Sequence, residues 1–339
     1  MKKTFYRITA VLSALTMLAC EGCITEGLKV EGYPDYRDLV YGDGSAGSDS
    51  VVLGEGNLYN PEILNLTFKD DVSENIQKLA VDIIKAVSEG KESIPVDIPD
   101  AKRAHVDLAY ELAFYSNPIV EIAVVDFDSD KKECTISYGV DNPEERCKQF
   151  EKEINEIFAA CVKVSDTDEE KAKAIYGYLI NEIEYDHEYE TALRSGQNVD
   201  DYFMTIDSIE RKKGTYLNLF FLYGFCLNQI GIKSLFVVGG GKLTYAKSNE
   251  LNNLIQNENI WMIITIGDYS YHCDTLFEAA VLYEERQKDP EANCKYQFFG
   301  MSDKTRKESF EPYYMASAIR LDPMIQKEIP ECEKDIKKK

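Results

Sequence analysis

Over residues 72–88 the apolar side chains Ile76, Leu79, Ala80, Ile83, Ile84 and Val87 recur every three or four positions. That spacing puts them on one face of a helix. Residues 94–98 are too few for a helix and carry Pro95, with Pro99 just beyond, so they read as an extended segment. A second helix is expected over 100–115. The runs 119–126 and 133–138 flank the polar stretch Asp128-Ser129-Asp130-Lys131-Lys132, which makes them a hairpin. Pro143 then opens a helix with Phe150, Ile154, Ile157 and Phe158 on one side.

The second half of the chain has a different texture. A helix over 168–184 aligns Ala172, Ile175, Leu179 and Ile183. Asp166 or Thr167 is placed to cap it, and Glu169 and Glu170 sit in the first turn, where the helix dipole favours negative charge. A polar segment runs to Asp207. An apolar, aromatic helix follows over 216–230, closed by Gly231. Residues 234–238 form a strand leading into Gly239-Gly240-Gly241, read as a flexible turn, and 260–266 and 269–274 form two more strands. The pattern predicts an α+β fold: a long helix packed on an antiparallel sheet, with an N-terminal α+β extension.

The first twenty residues stand apart. Lys2, Lys3 and Arg7 precede an apolar run over 8–18, shorter than a bilayer span, that ends in Met17-Leu18-Ala19-Cys20. This resembles a bacterial lipoprotein signal, in which the cysteine thiol takes a lipid and becomes the first mature residue. Met17 and Leu18 stand where the usual motif has Leu and a small residue. Cleavage after Ala19 as a plain secretory signal, or retention as an anchor, are the alternatives. The expectation is export to the outer face of the membrane or cell surface, attached through Cys20, with secretion as the alternative. Residues 20–60, rich in Gly, Asp and Ser, read as a tether. The organisation expected is therefore signal 1–19, tether 20–60, N-terminal region 61–163, main domain 164–325 and tail 326–339.

Composition narrows the partners. Formal charge is −22, and removing a signal with three positive and no negative charges leaves −25. Such a chain repels nucleic acid, so no nucleic-acid partner is expected. The nine cysteines are irregularly spaced and match no zinc motif. With only His105, His187 and His272 available, no metal and no cofactor are expected.

One constellation carries a more specific implication. Residues 170–186, EKAKAIYGYLINEIEYD, end in a Tyr-Asp pair; 208–231 lead through a small-residue turn into a helix closed by Gly231-Ile232; 260–274 pair two strands and end in aspartate. This order resembles the transglutaminase-like family, within the papain-like cysteine protease and acyltransferase superfamily. The resemblance covers about half the chain. It implies acyl transfer or amide hydrolysis by a thiolate at a helix start, a histidine that moves the proton and an aspartate that orients it.

Counting back fifteen residues from Gly231 puts the nucleophile position at Tyr216, in Gly214-Thr215-Tyr216, and counting back fifteen from Asp274 puts the histidine position at Asn259. Asp274 and the tryptophan after the histidine position, Trp261, are kept. A phenol titrating near 10 is a poor substitute for a thiolate, and asparagine cannot shuttle a proton. The resemblance therefore implies an inactive relative, a pseudoenzyme that binds a peptide, cell-wall fragment or protein partner. Tyr216 with Trp261 nearby is a candidate aromatic floor, and Thr215 and His272 complete the cleft candidates. The alternative is an amide hydrolase or acyltransferase using His272 and Asp274, which share a strand face at two residues' spacing. Core filling by Tyr216, a hydrogen-bonded strand role for His272, a core position for Cys226 and a solvated loop for His187 are the structural readings of the same residues.

Overall fold

A computed structural model describes residues 59–194, 204–240, 259–310, 314–318 and 328–337. Cys20 and most of the expected tether lie outside them. Helix α1 (Glu74–Ser88), strand β1 (Ser93–Pro95), helix α2 (Arg103–Ser116), strands β2 (Ala123–Asp128) and β3 (Glu133–Tyr138) and helix α3 (Pro143–Cys161) form the first part. The β2–β3 hairpin turns through Asp128-Ser129-Asp130-Lys131-Lys132, with β1 added on β3 to give the antiparallel order β1-β3-β2. The strand expected from residue 119 starts later. Pro118 has no N–H for a ladder and the Asn117 side chain accepts from Ile119 N–H, so Pro118–Ile122 winds into a 3-10 helix instead.

Helix α4 (Asp168–Glu182) starts at a reciprocal cap: Thr167 accepts from Glu170 N–H while the Glu170 side chain reaches back. The polar segment expected to run to Asp207 holds two short helices, α5 (His187–Arg194) and α6 (Thr205–Arg211). Apolar periodicity is too brief there to signal them. Strands β4 (Glu184–Tyr185) and β5 (Lys213–Gly214) pair in parallel. Helix α7 (Tyr216–Gln229) then crosses the domain and ends at Gly231, whose φ of +84° is the left-handed conformation a terminating glycine supplies.

The main sheet has the order β10-β6-β7-β8-β9, all antiparallel, built from β6 (Lys233–Gly240), β7 (Asn259–Ile266), β8 (Tyr269–Cys273), β9 (Phe299–Met301) and β10 (Tyr314–Ala318). Gly239 and Gly240 belong to β6, pairing with Asn259 and Tyr314, where a flexible turn was expected. Helix α8 (Thr275–Arg286) leaves β8 directly, and α9 (Asp303–Ser309) leaves β9.

The sheet is buried on both faces, which explains why β7 reads Asn-Ile-Trp-Met-Ile-Ile-Thr-Ile with little polar alternation. Phe236, Val238, Ile260, Met262, Ile264 and Cys273 point to the main core beneath α7. A methyl group at Gly224 of α7 would lie 3.0 Å from both Phe236 and Met262, so the helix rests directly on the sheet there. The alternate residues Leu235, Val237, Trp261 and Ile263 form a second, smaller cluster with Cys332 and Ile329.

Packing crosses three of the expected boundaries. The main core runs without a break from Tyr59 to Ile336 across residue 163, with α3 against α4 and α2 against α7. Tyr59, placed at the end of the tether, is buried, and its hydroxyl accepts from the Asn117 side chain. Residues 328–337, expected as a tail, are docked: Cys332 and Ile336 are buried because each finds an apolar seat on the sheet. Among the described residues no helix is long and apolar enough to cross a membrane.

Candidate functional site

The start of α7 is where the resemblance places a nucleophile. Thr215 is the N-cap: its N–H and hydroxyl both donate to Asn218 Oδ1, at 2.9 Å each, and its Oγ accepts from Asn218 N–H. The hydroxyl is thus spent on holding the helix end, with Thr215 only 5% exposed through its neighbours. Tyr216, the first helical residue, is half-buried against the main core. The side chain of Asn259 lies outside the described residues; its backbone opens β7 opposite Gly239.

The other retained positions gather on the far side of the sheet. Asp274 is fully buried and has two tasks: Oδ1 accepts from Phe277 N–H, capping α8, and Oδ2 accepts from Arg306 at 3.0 Å. Arg306, itself 2% exposed, lays its guanidinium on the Trp261 ring 3.9 Å from the centroid, with Phe310 on another side. Trp261 Nε1–H donates to His272 Nδ1 at 3.0 Å, and His272 Nε2 meets Asp303 Oδ1 at 2.7 Å. Asp303 Oδ2 in turn accepts from Cys332 N–H at 2.9 Å.

The polarity of this chain fixes what His272 can do. Its Nδ1 receives the indole proton, so the proton of the neutral ring sits on Nε2 and is donated to Asp303. Burial, and Arg306 nearby, push the imidazolium down to about pH 4, against the opposing pull of Asp303, so the neutral ring is the form at pH 7. A neutral imidazole whose lone pair is already bonded cannot take a proton from a nucleophile. The same polarity governs metal binding. One ligand-type atom each from His272, Asp303 and Cys332 lies within 4.8 Å of the others. Ligation at Nε2 would need a lone pair where the ring holds its proton, while the usual metal-bound histidine donates, not accepts, at its other nitrogen.

The structure therefore brings together Trp261, His272 and Asp274, and places Tyr216 and Thr215 on the opposite, α7 side of the sheet. An aromatic floor of Tyr216 with Trp261 is not formed: Trp261 is 1% exposed and belongs to the smaller cluster. Nor is the His272–Asp274 pair, because each residue has another partner, Asp303 and Arg306 respectively. His187, expected in a loop, opens α5 and stacks on Tyr283 with centroids 5.4 Å apart. Cys226 is in the core. Asp303, Arg306 and Cys332 come from segments without periodicity and were not among the expected site residues; the one local signal is Ser302 followed by Thr305, the cap that starts α9.

Every described cysteine is held as a thiol. The seven are unpaired. Burial raises Cys134 to about 11 and Cys147, Cys161 and Cys273 to about 12, and pushes Cys226, Cys294 and Cys332 upward in the same way. None of them starts a helix beside an imidazole.

The described surface offers two shallow concavities of note. One, about 220 Å³, is lined by Tyr185, Tyr283, Arg286 and Glu184; the other, about 530 Å³, lies between Gly90 and Lys148. Neither is lined by Tyr216, Trp261 or His272. No protein-family model matches the chain, and no curated protein is significantly similar to it.

Proposed function

We propose that the chain is an exported protein, anchored through a lipid on Cys20, whose second half is a catalytically inactive transglutaminase-like scaffold that binds a peptide, cell-wall fragment or protein partner. The observation that supports a binding role over catalysis is the state of the thiols. Acyl transfer by this family's route needs a thiolate at neutral pH, and burial holds all seven described cysteines protonated. The phenol of Tyr216 at the head of α7 and the commitment of Asp274 to Arg306 and to the α8 cap point the same way. The alternative enzyme centred on His272 and Asp274 loses its support with the pairing of His272 to Asp303.

Two measurements test the reading. Purified protein incubated with iodoacetamide at pH 7 and with a panel of amide substrates should show slow alkylation of the seven described cysteines and no turnover; hydrolysis abolished by Asp274→Ala would overturn the inactive assignment. Partition into the detergent phase, lost in Cys20→Ser, tests the anchor.

A further inference from the structure

Helix α8 packs against α4 and against β4, and residues of all three line the concavity of about 220 Å³. Its lining is apolar where Ile180 of α4 and Ala279 of α8, both buried, contribute. The aromatic part of the lining is locked in place. Tyr283 stacks on His187 with ring planes 7° apart, and Tyr185 meets Tyr283 edge-on at 82°, centroids 6.2 Å apart. Rings already held by one another lose little side-chain freedom when a ligand settles against them.

Arg286, the last residue of α8, supplies the charge. Its Nε–H donates to the Ala292 carbonyl and an Nη2–H to the Asn181 carbonyl, both at 3.1 Å, which fixes the guanidinium plane. Both acceptors are neutral. Arg103, Arg146 and Arg306 each meet a carboxylate, but among the described residues Arg286 meets none, in a chain of formal charge −22. The edge left over, Nη1 with the second Nη2 hydrogen, is a two-donor fork that matches a carboxylate. Size narrows the rest of the ligand. An apolar cavity of about 150 Å³ holds a benzene ring, so this one has room for a ring and a short chain and falls below the usual range for larger ligands. Glu184, also in the lining, disfavours a second negative charge such as that of a phosphate ester.

We propose that this concavity binds a monocarboxylate with an aromatic body, its ring against Tyr185 and Tyr283 and its carboxylate on Arg286. A free aryl-alkanoic acid and the C-terminal residue of a peptide both present that chemistry. The site takes nothing from the mouth of α7 and is independent of the transglutaminase-like reading.

Calorimetric titration of the full-length protein with 3-phenylpropionate, glycyl-phenylalanine and 3-phenylpropionamide tests the assignment. At least one of the two acids should bind saturably at a single site, the tighter one identifying the source. The uncharged amide should bind about ten-fold more weakly, the worth of a hydrogen-bonded charge. Arg286→Gln should weaken the acid by a similar factor. Because that change also loosens the bonds to Asn181 and Ala292, Gln287→Glu provides a second variant at an exposed residue of the lining. It places a carboxylate beside the guanidinium and should weaken the acid several-fold with far-UV circular dichroism unchanged. Three results would each overturn the proposal: neither acid binds, the amide binds as tightly as the acid, or the folded Gln287→Glu protein keeps full affinity. None of them bears on the thiol and amide-hydrolysis measurements.

Discussion

Two buried carboxylates, in different parts of the molecule, each satisfy the start of a helix, one against a guanidinium and the other against a threonine. Asp274, beside the main sheet, caps α8 and also meets Arg306. Glu121, in the 3-10 turn before β2, caps α6 from outside: it accepts the Thr205 N–H at 2.6 Å and the Thr205 hydroxyl at 2.7 Å. The first has a guanidinium; the second has one threonine and, close by, the like charge of Asp207. Burial therefore dominates at Glu121 and raises it to about 7, with the Thr205 bonds opposing and Asp207 adding to the rise. The lesson is that a helix start favours a carboxylate but does not by itself compensate its desolvation; Asp274 has a buried guanidinium beside it as well.

Removing that cation is the largest way to break the contrast. Arg306→Met leaves Asp274 buried without its partner and should cost about 3–5 kcal/mol in urea denaturation. Arg306→Met with Asp274→Asn should lose markedly less, because asparagine still caps α8 and carries no charge. Equal losses in the single and double variants would mean that the stacking of Arg306 on Trp261, not the ion pair, is what matters there.

At Glu121 the effect appears along the pH axis. The folded-state value is raised above the unfolded one, so the native protein binds more protons between about pH 4.5 and 7. The contribution of this group is present in full below the unfolded value and is lost as pH rises through about 7, a fall on the order of a few kcal/mol. The difference between wild-type and Glu121→Gln stability, measured from pH 4 to 8, should trace that fall and flatten above it. A difference that stays constant with pH would show that Glu121 titrates normally. Thr205→Val sharpens the comparison further: without the hydroxyl donor the ionised carboxylate loses about 1.5 kcal/mol, and the fall should extend to higher pH.

These two sites also show what a sequence discloses. The α1, α3, α4 and α7 helices were legible because their apolar positions repeat with the helical period, and the hairpin because a polar turn separates two apolar runs. Asp274 was singled out through the resemblance, which expects an aspartate after the second of two paired strands. Its partner was not, since Arg306 lies thirty-two residues on in a seven-residue helix with no apolar stripe. Glu121 gave no signal either: an acid inside an apolar run looks like a solvent-facing strand residue until Pro118 diverts the chain into a 3-10 turn. The docking of residues 328–337 was hidden for a related reason. Residues 328–337 are mostly charged, and only Cys332 and Ile336 betray docking. Periodicity reports faces of regular elements; it is silent about side chains that reach across from irregular ones.

The third helix start completes the series at its weak end. Thr215 caps α7 with a neutral hydroxyl, and its neighbours in the cap, Asn218 Oδ1 and the Thr215 N–H, are neutral too. Thr215→Ala should therefore cost about 1 kcal/mol, the ordinary value of such a cap, and Thr215→Ser should restore most of it. Because no charge is involved, the loss should be the same at pH 5 and pH 8, unlike that at Glu121. The same substitution discriminates a cap from a nucleophile at the mouth of α7. A cap lost in Thr215→Ala lowers stability and is restored by serine, whereas loss of an attacking hydroxyl would abolish turnover without a matching loss of stability, measured in the same preparations by denaturation and amide hydrolysis.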